Sequence, residues 1–283
     1  MANITELKQG CMGIIKNAPD LPSKIKELCV YEEVNGKKVY PGAYVPFIGQ
    51  KYGQQARILF YGMAQNLGKV NTKYRKEYAE NPQLATERLF IREADTINID
   101  MGPIASGVIP ALTGLCLFSK GKTKIEDLAE VLQCMSATNF YKFSLWKENQ
   151  NDLHPEMVAS PEKEEYTDLM LDEYVSKEIK LLQPDYIFAF RNYPYEYISR
   201  YVKDNNLPIK VFKLNDTAWM LRIGEEGMPK DWKGESLLDK ELEELLDSYC
   251  EYIREKAPYT QYRVRTDVVK IYLRHYCHEI LGK

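Results

Sequence analysis

The sequence predicts an α/β fold: a three-layer α/β/α core around a four-stranded, mainly parallel sheet, with an N-terminal extension and C-terminal helices. Two observations carry this. Short apolar runs rich in β-forming residues recur along the chain, and longer stretches with helical periodicity separate them. Alternation of that kind implies parallel strands joined by right-handed crossovers.

The first run is "RILFYG", Arg57 to Gly62, and the second "TNFYKFSLW", Thr138 to Trp146. The third, "DYIFAF" (Asp185 to Phe190), and the fourth, "IKVFKL" (Ile209 to Leu214), are brief and bounded by proline or polar residues, as strands buried on both faces tend to be. Before the second run lies "PIASGVIPALTGLCLF", an apolar helical stretch that Pro110 kinks or restarts. "YTDLMLDEYVSKEIKLLQP" puts Leu171, Val175, Ile179 and Leu182 on one helix face and ends before Pro184. "PYEYISRYVKDNN" fits a helix between the third and fourth strands.

The ends read as additions to this core. Residues 1–50 hold a short helical stretch and then an Asn35-Gly36 hairpin turn, with Pro41, Gly42 and Pro46 favouring irregular structure. After the fourth strand, Leu238, Leu242, Leu245, Tyr249 and Ile253 share a face of an amphipathic helix that Ser236 can cap, and a last helix opens at Thr266. No internal repeat or low-complexity linker interrupts the chain. Residues 1–283 therefore read as one domain: an extension over 1–50, a core over 51–220 and a helical extension over 221–283.

Composition narrows the function classes. A 45% hydrophobic content is that of a globular chain, no run reaches the roughly 20 apolar residues of a spanning helix, and the start has no targeting signature. A cytoplasmic protein without membrane partners is the expectation. The six cysteines form no Cys-x-x-Cys pair, and His275 and His278 lie on a helix without an HExxH pattern, so no metal or other cofactor is expected. A net charge of −3 argues against coating nucleic acid wholesale but leaves room for a local groove. Two stretches can supply one or serve as solvated faces: Lys69, Lys73, Arg75 and Lys76, and Arg263, Arg265, Lys270 and Arg274.

In open α/β sheets the ligand site lies at the carboxyl ends of the strands, which directs attention to "ILFYGMAQNLGK". It is not a nucleotide phosphate loop, because Gly62 and Gly68 enclose five residues rather than four and Val70 stands where a hydroxyl would meet magnesium. It lacks the glycine spacing of a dinucleotide fingerprint, and no Gly-x-Ser-x-Gly elbow occurs in the chain.

The ordered motifs resemble the uracil-DNA glycosylase superfamily, over roughly residues 45–217. In that family the first motif follows the first core strand in forms such as G-M-N-P-G or G-Q-D-P-Y; here the stretch is Gly62-Met63-Ala64-Gln65-Asn66. A glycine- and alanine-bearing segment follows, here "MGPIASGVIPALTGL", then a strand beginning with a Thr-Asn pair, here Thr138-Asn139, then an acidic helix ending Leu-x-Pro, here "KEIKLLQP".

The resemblance implies a base-excising protein that binds DNA, single- or double-stranded, or a free nucleobase. Asn139 then reads the Watson–Crick edge of a uracil-like ring, since an amide offers both donor and acceptor. Gly62, Met63, Ala64 and Asn66 cradle the base, with backbone N–H groups facing its developing charge. Lys69, Lys73, Arg75 and Lys76 meet phosphates. The family positions water near the third motif position, but that residue is Ala64, which does no acid–base work. Its second motif carries histidine, proline and serine, where this chain has Asn215, Asp216 and Thr217 in "KLNDTAW". Gln65, Asn215 and Asp216 are accordingly the candidate catalytic groups. An Asx-turn accounts equally well for Asn215-Asp216, and a turn or cap role for Asn139. Trp219 can stack on a base or simply pack.

Two other readings stay open. One is a protein that kept the fold and lost the chemistry, motivated by Ala64 and the missing histidine. The other is a small-molecule hydrolase or transferase on a doubly wound sheet.

Overall fold

The computed structural model describes residues 3–40, 45–63, 76–77, 79–81, 109–121, 128–145, 162–214, 240, 242–245, 247–248, 251, 273 and 276–281. Helix α1 (Ile4–Lys16) is capped by the Asn3 side chain, which accepts from the Thr5 N–H. After α2 (Ser23–Leu28), Asn35 and Gly36 adopt φ of 52° and 72° and close the hairpin of β1 (Glu32–Val34) and β2 (Lys37–Val39), as their dipeptide predicts. The main sheet contains β3 (Phe47–Ile48), β4 (Ile58–Gly62), β5 (Met135–Asn139), β6 (Tyr186–Phe190) and β7 (Lys210–Leu214).

Between β4 and β5 lie α3 (Ile109–Gly121), with Pro110 in its first turn where a missing N–H costs nothing, and α4 (Leu128–Leu132). Helix α5 (Glu162–Met170) runs through a π-helical turn (Leu171–Val175) into α6 (Ser176–Leu182), and α7 (Asn192–Asp204) links β6 to β7. Gln183 ends α6 in the left-handed region at φ 47°, one residue before Pro184.

The sheet has five strands in the order β3-β5-β4-β6-β7, not four. Four run parallel; β3, from the N-terminal extension, pairs antiparallel with β5 at the edge. Its two residues are too short a run to announce a strand. The second strand is also displaced from its expected place, occupying Met135–Asn139 rather than Thr138 to Trp146. Past Asn139 the chain leaves the sheet: Leu145 bridges Cys29, and the Val30 N–H donates to the Ser144 carbonyl at 2.9 Å. The apolar "FYKFSL" segment is buried by those contacts at its end and, before them, by Tyr166 of α5, Tyr174 of the π-helical turn, Glu178 of α6 and Tyr197 of α7, rather than by a sheet ladder.

Alternation along the strands separates two cores. Ile58, Phe60, Met135, Ala137 and Phe188 share one with Leu112, Leu115 and Cys116 of α3 and with Leu242, Leu273, Tyr276 and Cys277. Leu59, Tyr61, Ile187 and Ala189 share the other with Leu7 and Cys11 of α1, Ile179 and Leu182 of α6 and Ile198 of α7. On the first face Phe60, Phe188 and Phe212 stack across three strands at centroid distances of 4.9 and 5.2 Å, each pair contributing about 0.5–1.5 kcal/mol beyond its burial. The Tyr276 hydroxyl donates to the Lys213 carbonyl and ties the C-terminal helical residues to β7. Leu242 is buried and Leu245 packs against the same core, on the face the sequence periodicity marks.

Gly49 follows β3 where the chain touches Gln133: an added Cβ would lie 2.1 Å from the Gln133 carbonyl oxygen and 2.6 Å from its Cα. Backbone cannot swing aside as a side chain does. Gly49→Ala is expected to cost at least about 2 kcal/mol in chemical denaturation. Gly13→Ala, on a helix where an added Cβ would meet nothing within 4 Å among the described residues, should instead gain about 0.5–1 kcal/mol. Equal effects at both positions would contradict this packing.

Candidate functional site

In the parallel part of the sheet the chain leaves β4 toward β5 and leaves β6 toward β7, the opposite direction. The connections diverge between β4 and β6, so a crevice belongs at their carboxyl ends, with the end of β5 beside it. The right-handed rule accounts for the divergence, since α3 covers one face and α7 the other.

Gly62 and Asn139 meet at this place. They are the last residues of β4 and β5 and stand opposite each other in the parallel register. Asn139 thus lies at the carboxyl end of its strand, not at the start as its sequence context suggests. Its carboxamide rests over the Gly62 backbone, so closely that a Cβ on Gly62 would come within 2.3 Å of Asn139 Oδ1. Only glycine leaves the amide there. The strand ends are tied by two further bonds, from the Phe140 N–H to the Gly62 carbonyl and from the Tyr141 N–H to the Met63 carbonyl, both at 2.9 Å. Asn139 is half-buried, and among the described residues its carboxamide has no hydrogen-bond partner. A partly buried amide in that state can receive a donor–acceptor pair from a ligand.

The other predicted residues are placed unequally. Met63 is buried in the core shared with α1 and α6, which leaves its backbone at the turn. Lys76 is exposed on a short helical stretch. Ala64, Gln65, Asn66, Lys69, Lys73, Arg75, Asn215 and Asp216 lie outside the described residues, as do Thr217, Trp219 and the second basic stretch. Asn215 follows directly on Leu214, whose partner in β6 is Phe190. Among the described residues no group of three His, Cys, Asp or Glu is arranged to hold a metal ion, and no helix is long and apolar enough to cross a membrane.

Beneath the Gly62–Asn139 pair, on the opposite face of the sheet, lies a buried polar cluster. Lys142 Nζ sits 2.6 Å from Glu178 Oε1, with side-chain exposures of 0% and 1%. The ammonium also donates to Thr138 Oγ1 at 2.9 Å, and the Tyr61 hydroxyl donates to Glu178 Oε2 at 3.1 Å. Desolvation is the dominant influence on each charge: it draws the Lys142 ammonium downward and pushes the Glu178 carboxyl upward, while each partner's charge opposes the other's shift. Burial, then the nearby carboxylate, holds the Tyr61 phenol well above its usual range, so it stays a donor.

Arg191 is a site feature that sequence reasoning missed. It is the residue between β6 and α7, with φ 68° and ψ 176°, a region that essentially only glycine occupies without strain. Continuing the β4–β6 register puts Phe190 level with Gly62 and Arg191 one step beyond, past the carboxyl ends of both strands. Its N–H donates to the Leu214 carbonyl at 2.8 Å, which holds the turn. No sequence signal marks a non-glycine residue for positive φ.

No protein-family model matches the chain, and no curated protein does.

The strain at Arg191 has a measurable consequence. Arg191→Gly should raise thermal stability by about 1 kcal/mol, the relief of about 1–3 kcal/mol being partly offset by a freer unfolded chain. A fall in melting temperature would show that Arg191 side-chain contacts outweigh the backbone cost.

Proposed function

We propose that this chain is a nucleic-acid-binding protein of the uracil-DNA glycosylase type, with a three-layer core, that takes a uracil-like base at the carboxyl ends of β4 and β5. The observation that carries the reading is the Asn139 carboxamide, laid over Gly62 and without a partner among the described residues. An amide so placed matches the adjacent carbonyl and N–H of a uracil-like edge. It stands beside the switch in strand order, where open α/β sheets take their ligands.

In this reading the base is flipped out of the stack onto Asn139, in the context of DNA or as a free nucleobase. Backbone N–H groups of the Gly62–Asn66 turn face the base as negative charge grows on it. Lys69, Lys73, Arg75 and Lys76 meet phosphates. Hydrolysis breaks the bond between the sugar C1′ and the base nitrogen, the electron pair leaves with the base, and water adds to C1′ and gives up a proton. Asp216 and Gln65 orient that water, and Asn215 closes the site. Cleavage requires these side chains, whereas binding requires Asn139 and the turn.

A second reading is favoured by a specific observation. Ala64 and the Asn215-Asp216 pair stand where the glycosylase motifs supply water-positioning and histidine groups, which supports a protein that binds the base and does not cut.

The test is incubation with single- and double-stranded oligonucleotides carrying one uracil, hypoxanthine or mismatched base, followed by alkaline cleavage. Product that disappears in Asp216→Ala supports excision; binding without product supports the second reading. Asn139→Ala should weaken binding of the uracil-bearing probe about tenfold or more. Gly62→Ala should match that loss with Asn139 intact, because the new methyl group displaces the amide. Neither variant changing affinity would remove both residues from the site.

A further inference from the structure

The buried Lys142–Glu178 pair plays no part in the reaction outlined above, yet it lies directly under the residues that would recognise the base. We propose that this pair, with Tyr61 and Thr138, is a positioning device that holds Asn139 and Gly62 in their opposed arrangement. The inference rests on the base-recognition reading for its ligand, but its geometry stands independently.

Tyr61 and Thr138 are opposite each other in the β4–β5 register, one residue before Gly62 and Asn139. Both hydroxyls point to the face away from the site and join the pair: Thr138 accepts from Lys142 at 2.9 Å, and Tyr61 donates to Glu178 at 3.1 Å. Tyr61 also reaches the Val175 carbonyl at 3.4 Å, where the π-helical turn ends. Lys142 Nζ lies 5.7 Å from the centre of the Tyr61 ring. One ammonium and one carboxylate therefore bind together β4, β5, the segment following β5 and the helix carrying Glu178.

A buried ion pair of this kind adds little net stability over an apolar pair of similar volume, and removing one partner alone is costly. What it adds is selectivity of arrangement. Glu178 Oε1 has the Lys142 ammonium as its only partner among the described residues. The Lys142 ammonium needs oxygen acceptors, and Thr138 supplies one only when its side chain is on this face. Because side chains alternate, that requirement places the Asn139 carboxamide on the other face, over Gly62. An apolar pair would fill the space without imposing the choice. Cys11 borders the cluster, and its thiol is pushed up by burial first and by the Glu178 charge second, so it brings no competing charge.

The test separates positioning from stability. Lys142→Met combined with Glu178→Met removes both charges at similar volume and should melt at or above the wild-type temperature. Tyr61→Phe, which deletes only one hydroxyl, is the milder companion should the double variant fail to fold. The readout is the Asn139 side-chain amide in nitrogen–proton correlation spectra without ligand, assigned by its loss in Asn139→Asp. Shifted, broadened or doubled Asn139 signals in either folded variant are expected, with affinity for the uracil-bearing oligonucleotide about tenfold lower. An unchanged Asn139 signal in a folded variant overturns the proposal. Failure of wild-type protein to bind any base-bearing probe would refute the base reading, while the amide signal would still decide the positioning.

Discussion

The parallel register that sets Gly62 against Asn139 is the constraint on which the site depends. A slip of one residue would turn Thr138 into the apolar core beside α3 and Asn139 toward the Lys142–Glu178 pair. The first outcome buries the Thr138 hydroxyl without a partner, at about 1–3 kcal/mol, and the second takes the Asn139 amide away from the strand-end site. The neighbouring β4–β6 register is pinned separately, at the amino end of β4. There the Arg57 N–H donates to Asp185 Oδ2 at 2.9 Å, the Arg57 guanidinium reaches Asp185 Oδ1 at 3.3 Å, and the Asp185 N–H returns a bond to the Arg57 carbonyl at 2.8 Å.

The two faces of the sheet divide the labour. On one face stacked Phe60, Phe188 and Phe212 contribute burial and dispersion, which tolerate small sliding movements. On the other, Tyr61 and Thr138 commit to hydrogen bonds that tolerate little. Stability and specification of the strand ends thus come from different chemistries. The charged cluster and the candidate site share the same two strands, one residue apart.

The central strands were legible because strands buried on both faces need continuous apolar residues, as "ILFY" and "YIFAF" show. The Asn35-Gly36 turn was legible because its backbone tolerates positive φ. β5 was misplaced because its own residues, "MSATN", are small and partly polar, Ser136 and Thr138 being satisfied by tertiary bonds to the Phe47 carbonyl and to Lys142. The apolar run after it reads as the strand, although what buries it is α5, the π-helical turn, α6 and α7, with the N-terminal extension meeting only its last residues. Asn139 could be picked out by residue type, but which end of the strand it occupied could not. The lysine within "FYKFSL" was the local hint of the ion pair; its partner Glu178 comes from a distant helix that reads as amphipathic.

The contrast between the two ends of the sheet argues for where ligand chemistry resides. At the amino ends the polar groups answer one another, as Arg57 and Asp185 do, and Gln183 and Pro184 end α6 without a demand on a ligand. At the carboxyl ends a half-buried amide lacks a partner among the described residues, a glycine is required because a methyl group would collide with that amide, and an arginine occupies backbone space suited to glycine. Local rules fail together there. Such concentrated violations are costly to folding and are expected where a binding partner completes the structure. They also cluster where the β4 and β6 connections diverge, a position set by topology alone. Two independent lines, one from local strain and polarity and one from strand order, therefore converge on the carboxyl ends of β5, β4 and β6.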